Sequence, residues 1–294
     1  LTTGFGVTEL IVKATPLILI GVGLSIGFKA NVWNIGAEGQ FTMGAIAGGG
    51  TALFLNTQES FLVLPAVLLM GILGGVVWGM IPAFLKTKFN ANEILTSLML
   101  SYVALLILSY LVHGPWRDPG GYNFPESEIF SDFAMLPILL EGTRLNLGTG
   151  FAVLSVLIIY ILLSRTVLGY QFKVVGLAPA AAKHAGFDRV KLIWLSMIIS
   201  GGLAGLAGIS EVSGTIGQLL PSVSPGYGFT AIIVAFLGRL NPVGVLFAGL
   251  IMALTYIGGE NAQIEIGLPA AVTGLFQGII SVSYTHLRAH ETIH

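Results

Sequence analysis

The chain has 294 residues, of which 54 % are hydrophobic and only 9 % are Asp, Glu, Lys or Arg. Soluble domains carry about 25 % charged residues, and a surface with so few charges would aggregate in water, so the composition excludes a soluble globular protein. The absence of cysteine excludes disulfides, thiolate metal sites and iron–sulfur clusters. The remaining class is a polytopic membrane protein.

Long apolar stretches predict about eight membrane spans of roughly 20 residues each. A shorter apolar stretch, Phe229–Leu237, lies inside Pro221–Leu237, which we interpret as a broken or re-entrant segment covered by protein or water. The sequence therefore predicts an all-α transmembrane bundle, with a single transmembrane domain over residues 1–282. The predicted spans are Leu10–Phe28, Ala37–Leu55, Phe61–Leu85, Ile94–Val112, Leu145–Leu163, Leu192–Ser210, Val243–Ile257 and Leu268–Val282.

Both ends of the sequence predict an incomplete bundle. Leu1 is not an initiator methionine, and alternation of the spans places it outside, so we expect a further N-terminal span before it. After the last apolar stretch the sequence changes abruptly to SYTHLRAHETIH, and we interpret residues 283–294 as a non-native tail. The tail matches the H-E-x-x-H pattern of zinc peptidases, but it offers no third ligand, so we predict no metal site.

The orientation of the bundle is predicted from one basic island. Residues 165–191 contain five Lys or Arg residues and a single Asp. Short loops rich in Lys and Arg stay in the cytoplasm, so this island is predicted to be cytoplasmic. Alternation then places Gly114–Arg144, with five acidic and two basic residues, outside and Lys29 inside. Lys13 is the exception, because it falls near the outer end of the first span, and we interpret it as a lysine whose long side chain snorkels to the interface.

Polar residues that could line a translocation path cluster at the starts of the second and fourth spans. A lone carboxylate at the bilayer centre costs about 2.5–3.5 kcal/mol, so Glu38 needs a polar partner or a water-filled path. One interpretation is a helix break beside a translocation pathway. The alternative is ordinary capping, with Asn34 and Asn92 as N-caps and Glu38 favoured by the dipole of its own helix. The candidates are Asn34, Glu38, Gln40, Asn92, Glu93 and Ser101.

Two further patterns concern packing and energy supply. Ser200–Gly208, with the sequence SGGLAGLAG, places small residues four positions apart, which predicts a helix face for close packing. The chain contains no G-x-x-x-x-G-K-[ST] phosphate loop. If ATP drives transport, the ATPase must therefore be a separate chain.

The sequence resembles the membrane permeases of bacterial ATP-binding-cassette importers for simple sugars, branched-chain amino acids and nucleosides. Asn34–Gln40 is similar to the N-I-G-x-E-G-Q signature of this family, and Gly238–Gly244 matches another family block. The outer segment GPWRDPGGYNFP, residues 114–125, is similar to the nucleoside-type members. Ser101 departs from that type, which usually has Asn at this position, and a hydroxyl cannot reproduce the two-sided hydrogen bonding of an amide.

The resemblance also implies a coupling segment for the ATPase. Gly176–Gly186, with the sequence GLAPAAAKHAG, is similar to the cytoplasmic coupling segment of the family, and its small residues are predicted to form a short docking helix. The residues carried over to this role are Ala178, Ala180, Ala181, Ala182, His184 and Gly186.

What the resemblance implies is a multi-pass subunit of a nucleoside importer in the bacterial plasma (inner) membrane, without enzymatic activity or cofactor. It implies a cytoplasmic ATP-binding-cassette ATPase docked around Ala178–Asp188, an extracytoplasmic substrate-binding protein, a second permease subunit in a heterodimer and surrounding membrane lipid, but no nucleic acid. The alternatives are a simple-sugar or branched-chain amino acid importer, an ion-coupled secondary transporter and an intramembrane enzyme. A secondary transporter more often pairs ionisable residues in mid-span, and these spans are nearly free of them.

Overall fold

A computed structural model of the chain describes residues 4–267, 269, 271–272, 274–279 and 282. The predicted non-native tail, 283–294, lies outside the described residues. The helices are α1 (Gly4–Lys29), α2 (Ala37–Phe54), α3 (Val63–Phe89), α4 (Glu93–His113), α5 (Gly148–Arg165), α6 (Val167–Leu177), α7 (Pro179–His184), α8 (Arg189–Glu211), α9 (Tyr227–Leu237) and α10 (Pro242–Ile266), with a 3-10 turn at Asp132–Ala134 and a π turn at Val212–Ile216.

Within the described part of the chain, six helices are long and apolar enough to cross a membrane: α1, α3, α4, α5, α10 and α8 with its π turn. The predicted all-α polytopic architecture is confirmed. The total of eight spans stays a prediction, because α2 and α9 are shorter or more polar and the segment 268–282 is described only in part. The described residues 271–272, 274–279 and 282 of that segment are helical.

The core of the bundle consists of α1 and α2. The apolar window of α1 is 83 % buried, as expected for a helix that is hydrophobic on all sides. It packs against α5, α8, α9 and α10, while α2 lies among α3, α4 and α8. The glycine face of α8 approaches α2 very closely, since a Cβ added at Gly208 would lie 2.0 Å from the Phe41 carbonyl oxygen. The packing face predicted at Ser200–Gly208 is therefore confirmed.

Residues 217–237 form a broken path through the bundle. Residues 217–226 are irregular, and the 11 residues of α9 span about 16 Å, roughly half of a bilayer core. At the beginning of this path the Leu219 carbonyl accepts a hydrogen bond from Ser127 N–H in the long α4–α5 loop. At its end Phe236 stacks on Phe28 of α1, with 5.0 Å between ring centroids. The predicted broken or re-entrant character of Pro221–Leu237 relative to the membrane stays a prediction.

Lys13, which is predicted to reach the membrane interface, has a carboxylate partner that the sequence did not indicate. Its Nζ lies 2.7 Å from Glu260 Oε1 in α10. At the same end of the bundle, Arg144 after the long loop forms an ion pair with Glu9 of α1. Each cation thus has a carboxylate on a neighbouring segment, which compensates its charge locally. A lysine on the outer side is therefore compatible with the predicted orientation.

The orientation itself leads to a labelling prediction. Asn123 in the α4–α5 loop and Ala181 in α7 are both exposed, and the chain has no native cysteine. We expect Asn123→Cys to react with a membrane-impermeant maleimide in intact cells and Ala181→Cys to react only after permeabilisation. Since burial does not distinguish the two positions, the opposite pattern would show that the orientation is reversed.

Candidate translocation site

The candidate site lies at the break between α1 and α2. Residues 30–36 are not helical. The helix α2 begins at Ala37, and its N-cap residue, Gly36, has no side chain that could cap the helix. The free N–H groups of this helix start are satisfied from elsewhere. Ser101 Oγ on α4 accepts from Gly39 N–H at 3.2 Å, and Ser97 Oγ accepts from Ile35 N–H at 3.2 Å. Two serines of α4 therefore hold the start of α2.

Asn34 and Gln40 form a buried amide pair across the break. Asn34 Nδ2 donates to Gln40 Oε1 at 2.9 Å and to Ser200 Oγ of α8 at 2.9 Å. In return Gln40 Nε2 donates to Asn34 Oδ1 at 3.2 Å. Both side chains are at most 2 % exposed, so their polar atoms depend on these partners. The pair ties the irregular segment to α2 and α8.

Glu38 connects α2 to the start of the broken helix α9. Gly228 N–H donates to Glu38 Oε2 at 2.6 Å. Ser224 Oγ accepts from Tyr227 N–H at 2.9 Å. The carboxylate, 2 % exposed, therefore lies at the positive end of the α9 dipole. Glu38 also lies in the first turn of α2, as predicted, and Asn34 Oδ1 accepts from Gly36 N–H at 3.0 Å, although Gly36 is the N-cap residue. The contact with the N-terminus of a second helix was not part of the sequence interpretation.

The other two candidate residues lie at the start of α4 and are engaged there. Asn92 is the N-cap, and its side chain accepts from the N–H groups of Ile94 and Leu95, which confirms the predicted cap. Glu93 lies 2.8 Å from Lys86 Nζ at the end of α3. The structure thus places Asn34, Glu38, Gln40 and Ser101 around the α1–α2 break. Asn92 and Glu93 lie apart from them, where Asn92 caps α4 and Glu93 pairs with Lys86.

The predicted coupling segment is a short helix, α7, that projects from the bundle. Ala180, Ala181 and His184 are exposed, whereas Ala182 is buried and only 3 % exposed. Gly186 ends the segment with φ +74°, a conformation that favours glycine. Ala182 therefore attaches the helix to the bundle, and the surface available to a partner consists of Ala180, Ala181 and the residues beside them.

Ser200, Ser224 and Gly228 belong to the site but were not among the predicted residues. Ser200 was assigned to a packing face on the basis of its glycine-rich surroundings. Ser224 and Gly228 lie in Pro221–Leu237, where the sequence predicted a break but named no polar contact. A helix start with free N–H groups in an apolar environment requires an acceptor, and Glu38 was the carboxylate for which the sequence analysis required a polar partner.

The contact between α2 and α9 leads to a prediction for Gly228. A Cβ at this position would lie 2.2 Å from the Glu38 backbone nitrogen, so Gly228→Ala must separate the two helices. We expect a destabilisation of about 1–3 kcal/mol, measured as a lower thermal melting temperature of the purified protein. Gly258→Ala in α10, where no atom lies within 4 Å of the added carbon, is the matched control. Equal melting temperatures for the two variants would contradict the contact.

Comparison with known proteins is consistent with this architecture. The chain is 39 % identical over 290 residues to the glucose ABC transporter permease protein TsgB13 of Haloferax volcanii, covering 95 % of this chain and 76 % of the relative. It is 33 % identical over 281 residues to the guanosine ABC transporter permease protein NupP of Bacillus subtilis, covering 93 % and 79 %. The fold is similar to that in the structure of PsaBC from Streptococcus pneumoniae in complex with Fab, with a TM-score of 0.54, 15 % identity and coverage of 95 % and 91 %.

A family assignment covers nearly the whole chain. Residues 6–283 match the family described as the branched-chain amino acid transport system permease component. The match includes the α1–α2 break, the broken segment before α9 and the coupling segment. The chain therefore belongs to this permease family.

Proposed function

We propose that the chain is the membrane subunit of an ATP-driven importer and that it translocates nucleosides. The observation that carries the proposal is the contact of Glu38 with the start of α9. It joins a helix break to a discontinuous helix at an apolar depth, an arrangement from which transporters build substrate paths. Asn34, Gln40 and Ser101 complete the polar part of this path. Closing and opening of the path would then require α9 and α2 to move relative to each other.

Aromatic rings beside the polar cluster support a substrate with a planar apolar ring. Phe41 and Tyr227 have ring centroids 6.1 Å apart, and Tyr227 and Tyr256 follow at 5.6 Å. The Tyr256 hydroxyl is hydrogen bonded to Thr230 at 2.8 Å. Aromatic edges and faces pack favourably against other rings, but Phe41 and Tyr227 are buried in this structure, so a nucleobase would pack against this row only after α2 and α9 separate. The outer segment 114–125 and the guanosine permease relative support the same substrate class.

A simple sugar is the second candidate substrate. The relative of Haloferax volcanii, which is 39 % identical, is a glucose permease. Ser101 also departs from the nucleoside-type pattern, and its Oγ is engaged between Gly39 N–H and the Ser97 carbonyl. The Ser101 hydroxyl thus stabilises the contact between α2 and α4. The difference from the Asn of the nucleoside-type pattern therefore concerns helix packing at this position.

The partners follow from the two ends of the bundle. The chain is a multi-pass protein of the plasma membrane, and an ATPase on a separate chain would dock on the exposed side of α7. A substrate-binding protein would dock on the long α4–α5 loop at the other end. The exposed apolar faces of α3, α4, α5 and α10 are available to a second permease subunit and to lipid.

Uptake by the complete transporter tests the proposal. The permease, its ATPase, its second permease subunit and its binding protein are reconstituted in vesicles, and ATP-dependent uptake of labelled guanosine is measured. We expect uptake that unlabelled nucleosides inhibit and that ribose or glucose does not. Uptake of labelled glucose, inhibited by glucose and insensitive to nucleosides, would assign the chain to the sugar class. Uptake driven by an ion gradient without ATP would contradict the importer itself.

A further inference from the structure

A large cavity lies at the end of the bundle where α1 ends. It has a volume of about 800 Å³ and lies among α1, α5, α6 and the α9–α10 connection. Three of its lining residues are cationic: Lys29, Lys173 and Arg239. By the predicted orientation this end faces the cytoplasm, so the cavity opens at the inner leaflet of the membrane.

The charges of Lys29 and Lys173 have no compensating carboxylate at the cavity among the described residues. Among the described residues that line it, none is acidic, and neither Lys29 nor Lys173 forms an ion pair with a described carboxylate. Lys29 is partly buried at the end of α1, where its charge lacks full hydration. Two ammonium groups that line one cavity repel each other. An anion between them would remove this cost.

The rest of the lining fits an amphipathic ligand. Leu163, Leu177 and Pro242 contribute an apolar side, and Tyr160 of α5 is 40 % exposed beside it. Tyrosine is enriched at the membrane–water interface, because its ring is apolar and its hydroxyl is polar. Basic pockets between membrane helices on the cytoplasmic side bind anionic lipid head groups. A small hydrophilic anion would leave the apolar side of the cavity unused.

We propose that this cavity binds the phosphate group of an anionic phospholipid from the cytoplasmic leaflet, through Lys29 and Lys173, with the acyl chains along Leu163 and Pro242. The inference rests on the predicted orientation and is independent of which substrate the transporter carries. Lys29 precedes the α1–α2 break, and Lys173 lies in α6, just before the coupling helix α7. A bound lipid therefore bridges the candidate translocation site and the ATPase docking helix.

The helices that carry the two lysines, α1 and α6, are already in backbone contact at the cavity. A Cβ added at Gly176 of α6 would lie 1.9 Å from the Lys29 carbonyl oxygen, so α6 touches the end of α1 directly. A phosphate held by both lysines would strengthen this junction. Binding of an anionic lipid is therefore expected to raise the ATP-dependent uptake rate as well as the thermal stability.

Lipid retention tests the proposal on the complete transporter. The purified complex is titrated with phosphatidylglycerol or phosphatidylcholine and observed by native mass spectrometry. We expect tighter binding of phosphatidylglycerol, and a loss of roughly 30-fold in its affinity in the double variant Lys29→Gln/Lys173→Gln, because each cation contributes about 1 kcal/mol. Lys29→Arg/Lys173→Arg should restore binding. Lys191→Gln, which removes an exposed charge of α8 outside the cavity lining, is the control and should bind like the wild type.

Three outcomes would overturn the proposal. The first is equal retention of phosphatidylglycerol by the wild type and the Lys→Gln double variant when their melting temperatures in phosphatidylcholine agree. The second is an equal loss in Lys191→Gln, which would indicate general surface attraction. The third is displacement of the bound lipid by millimolar inorganic phosphate, which would identify the ligand as a soluble anion.

Discussion

Replacing Ala181 by Trp is expected to abolish ATP-dependent uptake while the protein still inserts in the membrane. Ala181 is exposed on α7 and Ala182 is buried behind it, so the bulky ring would project from the bundle and not disturb its core. Close docking depends on small side chains at such a surface, and a Trp would hold the ATPase away from α7. Because the bundle stays intact, the defect should appear in coupling and not in stability.

The measurement is uptake together with ATP hydrolysis stimulated by the loaded binding protein. We expect both to fall to background in Ala181→Trp, with an unchanged melting temperature of the isolated permease. Ala181→Ser, which keeps the side chain small, is the matched control and should retain both activities. Wild-type uptake in Ala181→Trp would show that the ATPase docks elsewhere, and a lower melting temperature would show that the ring disturbs the bundle.

Local patterns in the sequence predicted the helical architecture well. The glycine spacing of Ser200–Gly208 predicted the packing face of α8, and Asn92 was recognised as the cap of α4 from its position before Glu93. Both features depend on residues within a few positions of each other. The period of small residues and the identity of a cap are properties of one helix, so one sequence is sufficient to find them.

Contacts between distant segments could not be predicted in the same way. Glu38 and Gly228 are separated by 190 positions, and nothing local to either residue indicates the other. For this reason the sequence did not indicate the partner of Glu38 on α9 or the partner of Lys13, Glu260, on α10. Pairing of a charge in a membrane depends on which helices are neighbours, and the apolar pattern does not determine this.

Glu211 is a second example of a missed charge. It follows directly after the predicted span Leu192–Ser210, so it was not considered as part of the membrane region. In the structure it ends α8 immediately before the π turn and interacts electrostatically with Lys13, Arg144 and Glu260. Together with the Glu9–Arg144 pair it forms a group of charges that joins α1, α8, α10 and the long loop. The span boundary, drawn from hydropathy, separated it from these partners.

Replacing Glu38 by Ala is expected to reduce uptake at least roughly tenfold and to lower the melting temperature. The buried Gly228 N–H would lose its acceptor, and an unsatisfied buried polar group costs about 1–3 kcal/mol, where about 1.4 kcal/mol corresponds to a factor of ten. The start of α9 would then detach from α2. Hydrogen bonds to charged groups are stronger than those to neutral groups, so Glu38→Gln should show a smaller loss.

Two measurements distinguish a role of the Glu38 carboxylate in the substrate path from a role in holding α9 on α2. They are uptake by the reconstituted transporter and thermal melting of the purified permease. Glu59→Gln, at an exposed position between α2 and α3, is the matched control and should resemble the wild type in both measurements. If Glu38→Ala melts at the wild-type temperature but does not transport, the carboxylate acts on the substrate path and the contact with α9 contributes little to stability. If Glu38→Ala also transports normally, Glu38 does not hold α9, and the path must be sought away from the α1–α2 break.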